Sequence, residues 1–245
     1  MTPPGAVTFS GPINRARAAA LAVTALLVVV LAACGGDGED DLDLESMDAA
    51  ALLQAASDRT DEARSFHFLL EHEGGTTQIV RGLNMERAEG DVAGADRLRV
   101  EVKASAGPLN LKVEIVVIGE EAWITNPLTG GWEREDISIE EVFDPANGVT
   151  AIMRATTGAH LVGAESVGGV RTYRVEATVD SGDVTLFGEP RPGAVLLAIV
   201  WIGVDDPLVH RIEIVGGLTS GEPDDLVRRL TLSRFDAEIE IAPPN

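Results

Sequence analysis

From Leu109 to Val117 every second residue is apolar: Leu109, Leu111, Val113, Ile115 and Val117 alternate with the polar Asn110, Lys112 and Glu114. Successive side chains of a β-strand point to opposite faces, so this run makes a strand with one apolar and one wet face. A helix would scatter the same residues around its axis. The pattern recurs in Phe66, Phe68 and Leu70 and in Leu98, Val100 and Val102 set against Arg97, Arg99, Glu101 and Lys103, and "TTQIVRGL" offers Ile79 and Val80 for a further strand. Gly119-Glu120 and "NPLTGGW" supply turns, and strands return at Val162–Val167, Val170–Val179, Val195–Val204, Leu208–Val215, Leu226–Phe235 and Ala237–Ala242. Such a succession predicts an antiparallel meander.

Two regions break the period of two. "SMDAAALLQAASDRTDEAR" reads as a helix with Ser46 as its N-cap and an end near Arg64. Residues 137–157 read as two short helices interrupted at Asp144-Pro145. "AVLLAIVWIGV" is apolar on both parities, which predicts a strand covered on both faces, with the neighbouring helices as candidate covers.

Arg15 and Arg17 stand directly before Ala18–Ala33, a charge-free stretch that ends in small residues and leads to Cys34, the only cysteine of the chain. A helix of that length spans about 24 Å, short of the roughly 30 Å hydrocarbon core, so a cleaved export signal fits better than a permanent span. The order Leu31-Ala32-Ala33-Cys34 is similar to the lipobox of bacterial lipoproteins, in which the cysteine sulfur is diacylglycerated. A lone thiol with no disulfide partner then has a reason to be there. The expected domains are a signal peptide over 1–33, the acidic tether 34–45 ("GGDGEDDLDLE" after the cysteine) and one folded domain over 46–245.

The chain carries 19 Lys and Arg against 40 Asp and Glu, a net −21, and contains no block of basic residues. Phosphate backbones repel such a surface, which excludes nucleic acid as a partner. No catalytic constellation stands out. Ala164-Glu165-Ser166-Val167-Gly168 lacks the first glycine of a nucleophile elbow. His67, His72, His160 and His210 have no ligand spacing and are expected at the surface. Trp123, Trp132 and Trp201 are expected to pack in the core or at a cavity rim. No metal, cofactor or enzymatic activity is expected.

The order of pieces carries a resemblance: the LAAC lipobox, an Ala-rich helix, "ARSFHFLLEHEG", "EIVVIGEEAWITNPLTGGW", "VFDPANGVTAIM", "GAESVGGVRTYRVEATV" and "AIVWIGVDDPLVHRIEI". Over roughly Ser46 to Pro244 this resembles the LppX/LprG family of bacterial envelope lipoproteins. The resemblance implies an α+β fold, a strongly curved antiparallel sheet or half-barrel like that of the LolA and LolB lipoprotein carriers, with a few helices on its concave face. It also implies an apolar cavity for acyl chains, such as palmitate, of lipids or glycolipids. It further implies lipid anchoring through Cys34 at the outer face of the cell membrane, a monomer, and room for an envelope transport partner.

Parity then nominates the lining of that cavity. Leu98, Val100, Val102, Leu111, Val113, Ile115 and Val117 lie opposite Arg99, Glu101, Lys112 and Glu114, and the charged set cannot be the buried one. Ile152 and Met153 from the covering helices, with Tyr173, Val175, Ile212 and Leu230 from later strands, complete the expected lining. The competing expectation is an envelope scaffold or interaction lipoprotein whose core is full and which carries no lipid.

Overall fold

The computed structural model describes residues 47–79, 83–135, 148–184 and 189–244. Asp48 opens the first helix, α1 (Ala49–Asp61), its carboxylate accepting from the backbone N–H groups of Ala50 and Ala51 at 3.0 and 3.2 Å. The helix therefore starts after Asp48, while Ser46, the expected cap, lies outside the described residues. It also ends before Arg64, because Glu62 closes the last turn and the chain enters a strand at Ser65.

Seven strands follow: β1 (Ser65–Glu73), β2 (Thr77–Gln78), β3 (Asn84–Ala93), β4 (Arg97–Ala106), β5 (Leu109–Ile118), β6 (Glu121–Thr125) and β7 (Trp132–Glu135). After the helix α2 (Val149–Ala155) come β8 (Thr157–Val167), β9 (Val170–Asp180), β10 (Val195–Gly203), β11 (Val209–Val215) and β12 (Val227–Ser233). Of the two short helices expected over 137–157, α2 is one; residues 136–147 lie outside the described residues.

All the described strands join one antiparallel sheet in the order β7-β6-β5-β4-β3-β1-β12-β11-β10-β9-β8, with β2 added beside β3. Two meanders thus meet along the β1–β12 pair, which sets Phe68 opposite Leu232 and Leu70 opposite Leu230. The sheet is curved and does not close, and its helices pack on the concave face. Each helix contacts the other and the half of the sheet containing β8, β9 and β11. Ser57 donates to the carbonyl of Thr150 at 3.2 Å, and Arg154 of α2 pairs with Asp58 at 3.3 Å and with Asp61.

The concave face carries the core. Leu98, Val117, Val175, Ala198, Val200, Ile202 and Val209 are fully withdrawn from water. Burial of each of the Leu, Val and Ile side chains stabilises by about 1.5–3 kcal/mol and holds the sheet against its helices.

Two expectations change on the convex face. Ala237–Ala242 is not a strand: Arg234 and Asp236 take positive φ (54° and 53°) and turn the chain off β12. Ile239 and Ile241 then pack over Val116 and Trp123. The alternation of this tail is real, but it serves side-chain packing rather than a ladder. The second apolar face of β10 is covered by the sheet's own side chains and not by a helix. Ile199 and Trp201 cluster with Val167, the Trp201 ring lies beneath the guanidinium groups of Arg211 (5.4 Å) and Arg174 (5.9 Å), and its Nε1 donates to Glu165 at 2.6 Å.

Gly90 marks the closest approach of backbones. A Cβ there would stand 2.2 Å from the carbonyl oxygen of Arg99, so β3 and β4 can pair at this point only with glycine. The tight β8–β9 hairpin needs positive φ at two successive residues, and Gly168 (58°) and Gly169 (87°) provide it.

Candidate ligand site

One opening of about 390 Å³ lies on the concave side, at the end of the sheet where α1 finishes. Its floor is Phe66, Val92 and Leu232 from the three neighbouring strands β1, β3 and β12; register pairs Phe66 with Val92 and Phe68 with Leu232. Gly94 and Ala95 of the β3–β4 turn form one wall, and Val149 and Thr150 at the start of α2 form another. The volume falls in the range of roughly 300–1,000 Å³ usual for small-molecule pockets.

The rim is polar and comes from Thr60 to Arg64. Asp61 is held by Arg154, and Arg64 donates its backbone N–H to Asp236 at 2.9 Å, which holds the Asp236 carboxyl below the usual carboxylate range. Thr60 is buried and accepts from the backbone N–H of Val209 at 3.1 Å, which ties the last turn of α1 to β11. With an apolar floor and a charged mouth, the site suits an amphiphile: carbon chain inward, polar group at the rim.

The structure brings most of the residues nominated by parity together, though not at this opening. Leu98, Val100, Val102, Val117, Ile152, Met153, Val175 and Ile212 belong to one buried cluster, with Ile115 and Leu230 packed against it. Val113 and Tyr173 are buried outside that cluster, and Leu111 is half-buried. None of them lines the opening. Cys34 lies outside the described residues. Phe66 was visible in the sequence as part of an alternating run, but Val92 was hidden because "NMERAEGDVA" does not read as a strand.

A second polar assembly sits at the opposite end of the sheet. Arg228 on β12 and Glu222 in the loop before it form an ion pair, with only 2% and 5% of their side chains exposed. Arg228 also donates from Nε to Thr77 Oγ1 at 2.9 Å and from Nη1 to the carbonyl of Gly216 at 3.2 Å. Glu222 Oε2 accepts from the N–H groups of Leu218 and Thr219 at 2.8 and 3.0 Å. His72 lies 2.8 Å from Thr77 Oγ1 and 3.0 Å from the Glu86 carbonyl, so its Nδ1 carries the proton and Nε2 accepts. Burial, reinforced by the charge of Arg228, pushes the His72 pKa down.

The histidines are therefore not all surface groups: His72 and His210 are partly buried, and burial lowers the pKa of both. The tryptophans face away from the opening. Trp123 and Trp132 pack together on the convex face, Trp201 at a separate place on it. Among the described residues no three His, Cys, Asp or Glu gather as metal ligands, and no helix is long and apolar enough to cross a membrane.

The described domain is similar in fold to LprF from Mycobacterium bovis, with a TM-score of 0.63 and 18% identity over 80% of this chain and 96% of that one. It is likewise similar to the lipoprotein LppX from Mycobacterium tuberculosis, with a TM-score of 0.58 and 20% identity over 79% of this chain and 98% of that one. No curated protein matches the chain by sequence. The family model of the LppX_LprAFG lipoproteins matches residues 48–241, from the cap of α1 to the tail on the convex face, and the chain belongs to that family.

Proposed function

We propose that this protein is an envelope lipoprotein, anchored through acylated Cys34, which binds the acyl chains of a lipid or glycolipid between its helices and sheet and carries or presents them. The observation that carries the reading is the opening of about 390 Å³, with its floor of Phe66, Val92 and Leu232 and its polar rim. Membership of a lipoprotein family supports a place at the membrane. Moving an acyl chain from bilayer to protein exchanges one apolar environment for another, so the net gain is small and cargo can be released.

Mass spectrometry of organic extracts from purified Cys34→Ser protein tests this reading. A carrier yields acyl species in stoichiometric amount. Their absence favours the second reading, a scaffold with a filled core. The complete withdrawal of Leu98, Val117 and Val175 from water speaks for that alternative over the middle of the concave face.

A further inference from the structure

The hairpins β4–β5 and β6–β7 turn at the same end of the sheet, opposite the opening, and each displays a leucine at its tip. Leu128 is 83% exposed and Leu109 is 57% exposed; Val195, 67% exposed, begins β10 at the same end. We propose that these tips form a bilayer-contacting surface, with Leu109 and Leu128 entering the boundary between headgroups and acyl chains.

Charge is the first argument. In a chain of net −21, residues 104–111 and 122–132 contain no charged side chain, so seating both tips in a membrane buries no ion. The nearest cations flank the first tip: Lys103 faces Lys112 across the hairpin, and Lys112 also contacts Glu101 at 2.8 Å and Glu114 at 3.6 Å. With Arg99 on Glu114, these cations and anions pair off along the wet face of β4 and β5. The second tip has Glu133 at its base, engaged by the Asn126 side-chain amide at 3.0 Å.

Rigidity is the second. The β6–β7 turn is fastened from within: Asn126 Oδ1 accepts from the N–H groups of Leu128 and Thr129 at 3.0 and 3.2 Å, and the Asn126 carbonyl accepts from Gly130 at 2.8 Å. Trp132 anchors the returning strand in the convex cluster. An exposed leucine held this firmly pays little further ordering entropy on insertion.

Reach is the third argument, and it rests on the proposed anchor at Cys34. The described structure begins at Met47, and the intervening segment spans at most about 45 Å when extended. The body can therefore settle on its own membrane. Seated on its tips, it turns the opening away from the bilayer, which suits presentation of cargo to a partner.

The test attaches an environment-sensitive dye to Leu109→Cys, Leu128→Cys and, as control, Val162→Cys on the far edge strand β8, with labelled wild type as background. The full chain is reconstituted in vesicles of equal parts phosphatidylcholine and phosphatidylglycerol, and co-flotation reads the anchor separately. The expected result is a blue shift and strong quenching by doxyl-labelled acyl chains at 109 and 128, several-fold greater than at 162. Equal, water-like emission at all three positions overturns the proposal. So does a blue shift at 109 and 128 that appears without vesicles and grows with protein concentration, since a second copy of the chain then covers the tips.

Discussion

Arg228→Met breaks the buried pair at the end of the sheet while preserving most of the side-chain volume. The guanidinium it removes is 2% exposed and gives hydrogen bonds to Thr77 and Gly216 as well as its charge to Glu222. Loss of one partner of a buried ion pair costs about 3–5 kcal/mol, because the other charge stays behind in the interior. Glu222 keeps two backbone donors, Leu218 and Thr219, so the lower end, about 3 kcal/mol, is expected. With a urea m-value of about 2–3 kcal/mol/M, the unfolding midpoint should fall by about 1–1.5 M. The double variant Arg228→Met/Glu222→Gln leaves no charge and retains an oxygen for the two N–H groups, so it should recover most of the loss. A midpoint within about 0.3 M of wild type, or a double variant no better than the single, would refute the reasoning.

Three further outcomes are expected. Cys34→Ser should move the protein out of the membrane fraction on sedimentation; an uncut chain as firmly bound as wild type contradicts the anchor. His72 has a folded pKa depressed by burial, so its contribution is present above about 6.5 and is lost as pH falls, when the unfolded chain takes up a proton that the folded one refuses. Thermal melts should therefore show a fall in Tm below that pH, reduced in His72→Gln; identical profiles contradict it. Gly90→Ala places a methyl against backbone atoms of Arg99 and Val100 and should destabilise by about 1–3 kcal/mol, with an unchanged melt as the contrary result.

Much of this fold is legible in the sequence where side chains are large and register is regular. β4, β5 and β9 sit where their alternation puts them, and the double-sided pattern of β10 reports two covered faces correctly. β3 escapes for physical reasons. Its inward positions are Met85, Ala88, Gly90 and Val92, two of them too small to signal burial, and a bulge between Met85 and Arg87 shifts the parity of the large one. The meeting of β1 with β12 is a contact between the two ends of the domain, which no local pattern encodes. The opening is hidden for both reasons, since Val92 lies on β3, Leu232 on β12, and the rim is a helix end. The tip at Leu128 is visible as the turn "NPLTGGW", but its sharing of one end with the tip at Leu109 emerges only from the strand directions.

Native mass spectrometry of Cys34→Ser protein, delipidated and titrated with a palmitoylated phospholipid, reads acyl-chain binding at the opening when run beside Leu232→Trp. Leu232 forms the floor of the opening, so the added ring occupies ligand volume there. A carrier shows a stoichiometric lipid adduct on the Cys34→Ser protein that is lost in the folded Leu232→Trp variant. A Cys34→Ser protein that takes up no lipid, or a Leu232→Trp variant that binds as well as its parent, would contradict the carrier reading.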